Sequence, residues 1–231
     1  MRHLPLLPAA FLAALLGATT AATAQLVIAP TTVAISPERR STVVTVENPS
    51  DQPVDLQMRA YDWAQADGRD RLTPAADLVV SPAIATVPPR GKQVFRLLLA
   101  GGGPADGRER AWRLRLNQLP REGAAAVAVN LEFLLPVFQG PAGAAPRLTW
   151  SWTPEGRIAV TNTGDRRARL SRLALADARA AIELEGAVSA YLLSGATRVF
   201  APARAPQPSA RLIAVGDTGP LDAMPSALAA R

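Results

Sequence analysis

Apolar and polar residues alternate with a period of two over much of this chain, most clearly across residues 126–138. Val127, Val129, Leu131, Phe133 and Leu135 fall on one parity, with Ala128, Asn130 and Glu132 on the other. Such alternation among β-branched and aromatic residues marks a strand with one apolar face. As a helix, the same segment would scatter its valines around the cylinder. Two roles are open to the row. It covers its own domain's core, or it is offered to another protein, where main-chain bonds give affinity and alternate side chains fill pockets.

The pattern continues on either side. Residues 25–35 are apolar but interrupted by Pro30 and closed by Pro37, which predicts an edge strand that changes partners midway. Strands are expected over 41–47, 54–63, 78–86, 92–99 and 111–119, with turns at Asn48-Pro49-Ser50-Asp51, Asp67-Gly68 and Pro88-Pro89-Arg90-Gly91. In the strand at 54–63, Leu56, Met58 and Ala60 share one parity, and Tyr61 and Trp63 share the other. In the strand at 111–119, Trp112, Leu114 and Leu116 oppose Arg113, Arg115 and Asn117. Residues 139–146, rich in Gly, Ala and Pro, read as a short stiff linker. A second set of strands is then expected at 148–152, 157–161, 168–176, 181–185, 190–193, 197–201 and 210–215, with a loop over 202–208 and a frayed end after Gly219. Short strands, frequent turns and no convincing helix predict an all-β protein: an immunoglobulin-like β-sandwich over the first set of strands, then a second all-β set.

Composition narrows the chemistry. Arg2, an apolar block and Ala22-Thr23-Ala24 make residues 1–24 a secretory signal peptide. The only histidine, His3, leaves with it, and there is no cysteine. The mature chain therefore cannot build a Ser-His-Asp triad, a cysteine nucleophile or an ordinary zinc site. Its carboxylates are scattered through turns without a pair of the glycosidase kind, so the reading is no enzyme, no cofactor and no metal. The formal charge is +6, or +5 once Arg2 is removed, and Lys92 is the only lysine among 25 basic residues. Basic and acidic residues interleave, as in Arg69-Asp70-Arg71, which describes a solvated surface rather than a nucleic-acid footprint.

Taken in order, several segments resemble the periplasmic pilus-assembly chaperones of the PapD-like family. They are the Asn48-Pro49 turn, Val79-Val80-Ser81-Pro82, Pro88-Pro89-Arg90-Gly91-Lys92-Gln93, the run from Arg110 through Trp112, Arg113, Arg115 and Asn117 to Pro120, Leu135-Pro136-Val137-Phe138, and Asn162-Thr163-Gly164. The resemblance spans nearly all of the mature chain. It implies two immunoglobulin-like β-sandwich domains, at 25–138 and 139–231, in a boomerang arrangement, with pilin subunits and an outer-membrane usher as partners in the periplasm. It also implies that the last strand of the first domain lends Val127, Val129, Leu131 and Phe133 to a pilin lacking a strand. Four such side chains, at about 1.5–3 kcal/mol each, supply several kcal/mol before ordering costs. A secreted immunoglobulin-like binding or adhesin module is the alternative, and self-association of the free form is left open.

The chain departs from familiar members, which hold the pilin's terminal carboxylate with an Arg on the first strand and a Lys on the last strand of domain one. Here Thr31, Thr32 and Val33 occupy the first strand, and the last strand has no basic residue. The chain is more similar to the archaic branch, associated with spore-coat-protein-U-like pilins. Arg113 and Arg115, two apart on one face and expected to be mostly solvated, fit the anchor role. In competition, a hairpin centred near Arg121 and Glu122 sets Arg113 opposite Glu132 as a surface ion pair, worth about 0–1 kcal/mol.

Overall fold

Strands form wherever the period-two rows can be buried on one side. The computed structural model describes residues 26–36, 38–101, 106–120, 131–176, 181–186, 191–204, 210–221 and 223–225, and no helix occurs among them. The first half comprises β1 (Val27–Ala29), β2 (Val33–Ala34), β3 (Ser41–Glu47), β4 (Val54–Ala66), β5 (Arg69–Pro74), β6 (Leu78–Ser81), β7 (Ile84–Val87), β8 (Lys92–Leu99), β9 (Arg110–Gln118) and β10 (Glu132–Gln139). The second comprises β11 (Leu148–Trp152), β12 (Ile158–Asn162), β13 (Ala168–Ala176), β14 (Ala181–Glu183), β15 (Tyr191–Leu192), β16 (Thr197–Phe200), β17 (Arg211–Gly216), β18 (Gly219–Leu221) and β19 (Ala223–Pro225).

In the first half, a sheet of order β1-β3-β8-β6 faces one of order β2-β10-β9-β4-β5, to which β7 adds at β4. Phe95, Leu97, Trp112, Leu114, Leu116 and Val137 are among the side chains buried between them. In the second half, β16-β12-β11-β19 faces β14-β13-β17-β18, with β15 on β13. Ile158, Val160, Leu170, Leu173, Leu192 and Phe200 are buried in that core, and Trp63 and Phe138 reach into it from the first half. Those two aromatics join the sandwiches.

The expected change of partners near Pro30 is present: β1 pairs β3, whereas β2 pairs β10 in the other sheet. Proline has no N–H for the ladder, so the strand breaks there. The same effect corrects the single strand expected at 78–86. It divides around Pro82 into β6, which joins β8, and β7, which joins β4. Strand β5 was not expected from its charged sequence, and forms because the Asp67-Gly68 turn, with φ of 53° and 71°, folds it back along β4. Of the end expected to fray after Gly219, the described residues are paired instead: β18 pairs β17 and β19 pairs β11, while 222 and 226–231 lie outside the described residues.

Among the described residues, each sandwich contains one buried asparagine at a corresponding turn. Asn48 Nδ2 donates to the carbonyls of Gln52, Val87 and Pro88, and its Oδ1 accepts from Ser50. Asn162 Nδ2 donates to Arg166 and Leu192, and its Oδ1 accepts from the N–H groups of Arg147 and Gly164. A buried amide is tolerated because its donors and acceptor are filled. Gly164 is needed beside it: a Cβ there would lie 2.3 Å from the Ala145 carbonyl oxygen.

Candidate subunit-binding cleft

Strand β10 has two unlike ends. Near the junction, Val137 and Phe138 pair with Val33 and Ala34 of β2, and the Ile35 N–H donates to the Phe138 carbonyl. Toward residue 132 its outer edge has no ladder partner among the described residues. An unpaired edge presents free N–H and C=O groups to another strand. Phe133, Leu135 and Val137 turn to the interior; Leu135 and Val137 are buried and Phe133 is half-buried against the same core. Leu131 is half-buried just before β10, with its carbonyl accepting from the Gln118 N–H. Val127 and Val129 lie outside the described residues.

The opposite face of this sheet carries the two arginines. Register pairs Arg113 with Pro136 and Arg115 with Leu134 across β10, and with Tyr61 and Arg59 across β4. The expected Arg113–Glu132 pairing is therefore off by four residues: Glu132 lies opposite Asn117. It is Arg115 whose Nε lies 3.5 Å from Glu132 Oε1, with its guanidinium 4.9 Å from the centre of the Tyr61 ring. Neither arginine is mostly solvated; both are half-buried.

Arg113 leans toward the second sandwich. Its guanidinium carbon lies 3.6 Å from the Trp63 ring centre and 5.6 Å from that of Tyr191. Trp63, Phe138 and Tyr191 form a closed trio, with ring centres 5.5–5.9 Å apart. The trio fixes the plane on which the guanidinium rests, and aromatic faces attract cations. Burial draws the Arg113 pKa below its ordinary value, with Asp70 and Tyr191 opposing the shift. The group remains a cation at neutral pH. Among the described residues, no carboxylate lies within 4 Å of it and no hydrogen bond uses its N–H groups. Arg39 and Arg40 lie away from this cleft. Arg40 caps the end of β8 through the carbonyls of Leu99, Ala100 and Gly101, and Arg39, just before β3, lines a pocket on the opposite sheet.

Further contacts tie the sandwiches together. Glu109, whose side chain is 6% exposed, accepts from the Arg167 backbone N–H at 3.0 Å and from the Arg167 guanidinium, which itself lies over Phe138. Gln65 donates to the Tyr191 carbonyl and accepts from the Leu193 N–H. The linker at 139–146 and the shared parity of Tyr61 and Trp63 were the sequence signals for this junction; Tyr191, Gln65 and Glu109 were not singled out for it.

A family of pili and flagellar-assembly chaperones, defined by the PapD N-terminal domain, matches residues 25–145. The chain belongs to this family. Solved structures agree on the fold of a PapD-like chaperone. A chain of the CsuC–CsuE chaperone–tip adhesion subunit pre-assembly complex from archaic chaperone-usher Csu pili of Acinetobacter baumannii is 22% identical. That match covers 88% of this chain and 100% of that one, with a TM-score of 0.74. The E. coli chaperone DraB is 18% identical over 88% of this chain and 97% of its own, with a TM-score of 0.62. A chain of the Salmonella enterica SafA pilin–SafB chaperone complex is 16% identical over 86% and 95%, with a TM-score of 0.60. No curated protein sequence matches significantly. The PapD-like chaperone is thus two immunoglobulin-like sandwiches with the aromatic–arginine cleft at their junction.

Proposed function

We propose that this PapD-like chaperone acts in the periplasm, folding and capping pilus subunits by donor-strand complementation and passing them to an outer-membrane usher. Removal of residues 1–24 would leave domains at 25–138 and 139–231. The donated strand carries Val127, Val129, Leu131 and Phe133, and the open edge of β10 supports its extension into a subunit that lacks a strand. Arg113, aided by Arg115, takes the subunit's terminal carboxylate. The Arg113 guanidinium carries this reading. It is already half-desolvated and held against the Trp63 ring, yet has no anionic partner within 4 Å among the described residues. A planar fork in that state suits both oxygens of a carboxylate.

The similarity to a chain from an archaic Csu assembly supports placement in the archaic branch, whose pilins resemble spore-coat protein U. On the far sheet, Val43, Val79, Val94 and Leu98 form an exposed apolar surface beside Arg39 and Arg96. An exposed apolar surface of that kind, on the sheet away from the cleft, suits a second partner such as the usher.

The test is co-purification with a co-expressed spore-coat-protein-U-like pilin, ending either in its native carboxylate or in a short C-terminal extension. Arg113→Ala should reduce capture of the native pilin by about tenfold or more, in keeping with loss of a charge-assisted bidentate pair. The extension should weaken wild-type capture and have little further effect in the variant. Additive losses would show that Arg113 does not touch the terminus.

A further inference from the structure

Asp70 is the acidic group poised between the two sandwiches beside this cleft. It lies opposite Gln65 in the β4–β5 pairing, on the parity of Leu72 and Pro74, which oppose Trp63 and Tyr61. Its carboxylate therefore stands on the same sheet face as Arg113. It is also the carboxylate acting on the Arg113 charge. Two groups hold it, both at Oδ1: Gln65 Nε2 at 2.8 Å and Arg198 Nη2 at 3.4 Å. Gln65 is itself fixed by the main chain of Tyr191 and Leu193. Arg198 comes from β16 of the second sandwich, paired through Val160 of β12, and its side chain is only 23% exposed. Among the described residues its buried Nε has no acceptor, and Asp70 is the only polar partner of the guanidinium.

Two half-buried guanidiniums thus flank one carboxylate, and only Arg198 is bound to it. Were Asp70 released, Arg113 with its unfilled N–H donors would be the strongest remaining attraction on that face. We propose that Arg198 is a positioning residue that holds Asp70 away from Arg113, keeping Arg113 open for an incoming carboxylate. This rests on Arg113 being the carboxylate site. It adds that the second sandwich controls whether the site is empty, without Arg198 touching the ligand.

The test separates the two claims by using acetate as a minimal carboxylate. Acetate is titrated against the full mature chain, observed at the Arg113 side-chain Nε–H resonance and assigned through Arg113→Lys. Saturable acetate binding at Arg113 in the wild type tests the site itself, and its absence would overturn both claims. Arg198→Ala should weaken that binding by about fivefold, the scale of a partly exposed charge pair. Asp70→Asn should bind acetate at least as well as the wild type, and Asp70→Asn with Arg198→Ala should recover the affinity lost in Arg198→Ala alone. That recovery also shows that Arg198→Ala did not act by misfolding. Wild-type affinity in Arg198→Ala would overturn the positioning role while leaving Arg113 as the site. A double variant as weak as Arg198→Ala would do the same, and would make Arg198 a direct ligand contact.

Discussion

At the scale of single residues, charge in this protein is governed by how few waters each group keeps. Asp62 neighbours Asp77, which accepts from the Arg110 guanidinium and from Trp112 Nε1 at 3.3 Å. Burial raises the Asp62 pKa above the ordinary carboxylate value, the Asp77 charge adds to the rise, and Arg110 and Trp112 oppose it. A carboxyl whose folded pKa is raised favours the fold while protonated; that contribution is present below its unfolded pKa and lost as pH rises through the folded one. Asp62→Asn is therefore expected to unfold at higher urea than the wild type at pH 7, with the gap closing as pH falls toward about 4. Because the group is partly solvated, the gain should stay within about 1 kcal/mol. A variant weaker than the wild type at pH 7 would show that Arg110 and Trp112 stabilise the carboxylate more than burial penalises it. The same balance explains what could be read about Arg113. Its face followed from period two, but its half-buried state came from Trp63 and Tyr191, and neither contact is encoded in local spacing.

At the scale of elements, β10 divides its apolar row between two tasks. Leu135 and Val137 are buried in the protein's own core, Phe133 is half-buried there, and Leu131 precedes the strand. The two readings of the row are thus distributed along it, the core claiming its junction end. Leu131→Asp is expected to abolish pilin capture with the melting temperature little changed. Phe133→Ala should reduce capture and also cost about 1–3 kcal/mol of stability, less than a fully buried Phe. That loss corresponds to several degrees in a thermal melt. Equal destabilisation by both changes would place Leu131 in the core as well. Strands with a clear apolar row, such as β3, β9 and β13, were legible from sequence. Strand β5 was not, because Arg69, Asp70 and Arg71 owe their extended form to pairing with β4 rather than to a buried face. Register was illegible for a related reason. The segment between β9 and β10 has no Asn-Gly or Asp-Gly pair to fix a turn centre, so Glu132 is expected opposite Arg113, whereas the register sets it opposite Asn117.

At the scale of the whole molecule, the cleft exists only while the two sandwiches keep their mutual orientation, because Arg113 rests on a trio that draws Trp63 and Phe138 from one and Tyr191 from the other. Glu109 is central to that orientation. Its buried carboxylate joins Arg167, whose guanidinium covers Phe138, and its backbone N–H donates to the Asp165 carbonyl at 2.7 Å. Burial lowers the Arg167 pKa while Glu109 opposes the fall, so the two charges depend on each other. Removing one partner of such a pair leaves the other charge buried alone, at a cost of roughly 3–5 kcal/mol when burial is complete. Glu109→Gln should therefore loosen the junction: small-angle scattering should give a larger radius of gyration, and calorimetry should separate the unfolding of the two sandwiches. Pilin capture should fall as well, although Glu109 lies outside the proposed contacts with the subunit. Adding Arg167→Met removes the stranded charge and keeps an apolar stem over Phe138, so the double variant should regain much of the lost stability. If the double variant melts no higher than Glu109→Gln alone, the ion pair is not what fixes the angle, and the aromatic trio with the Gln65 amide bonds must hold the sandwiches by itself.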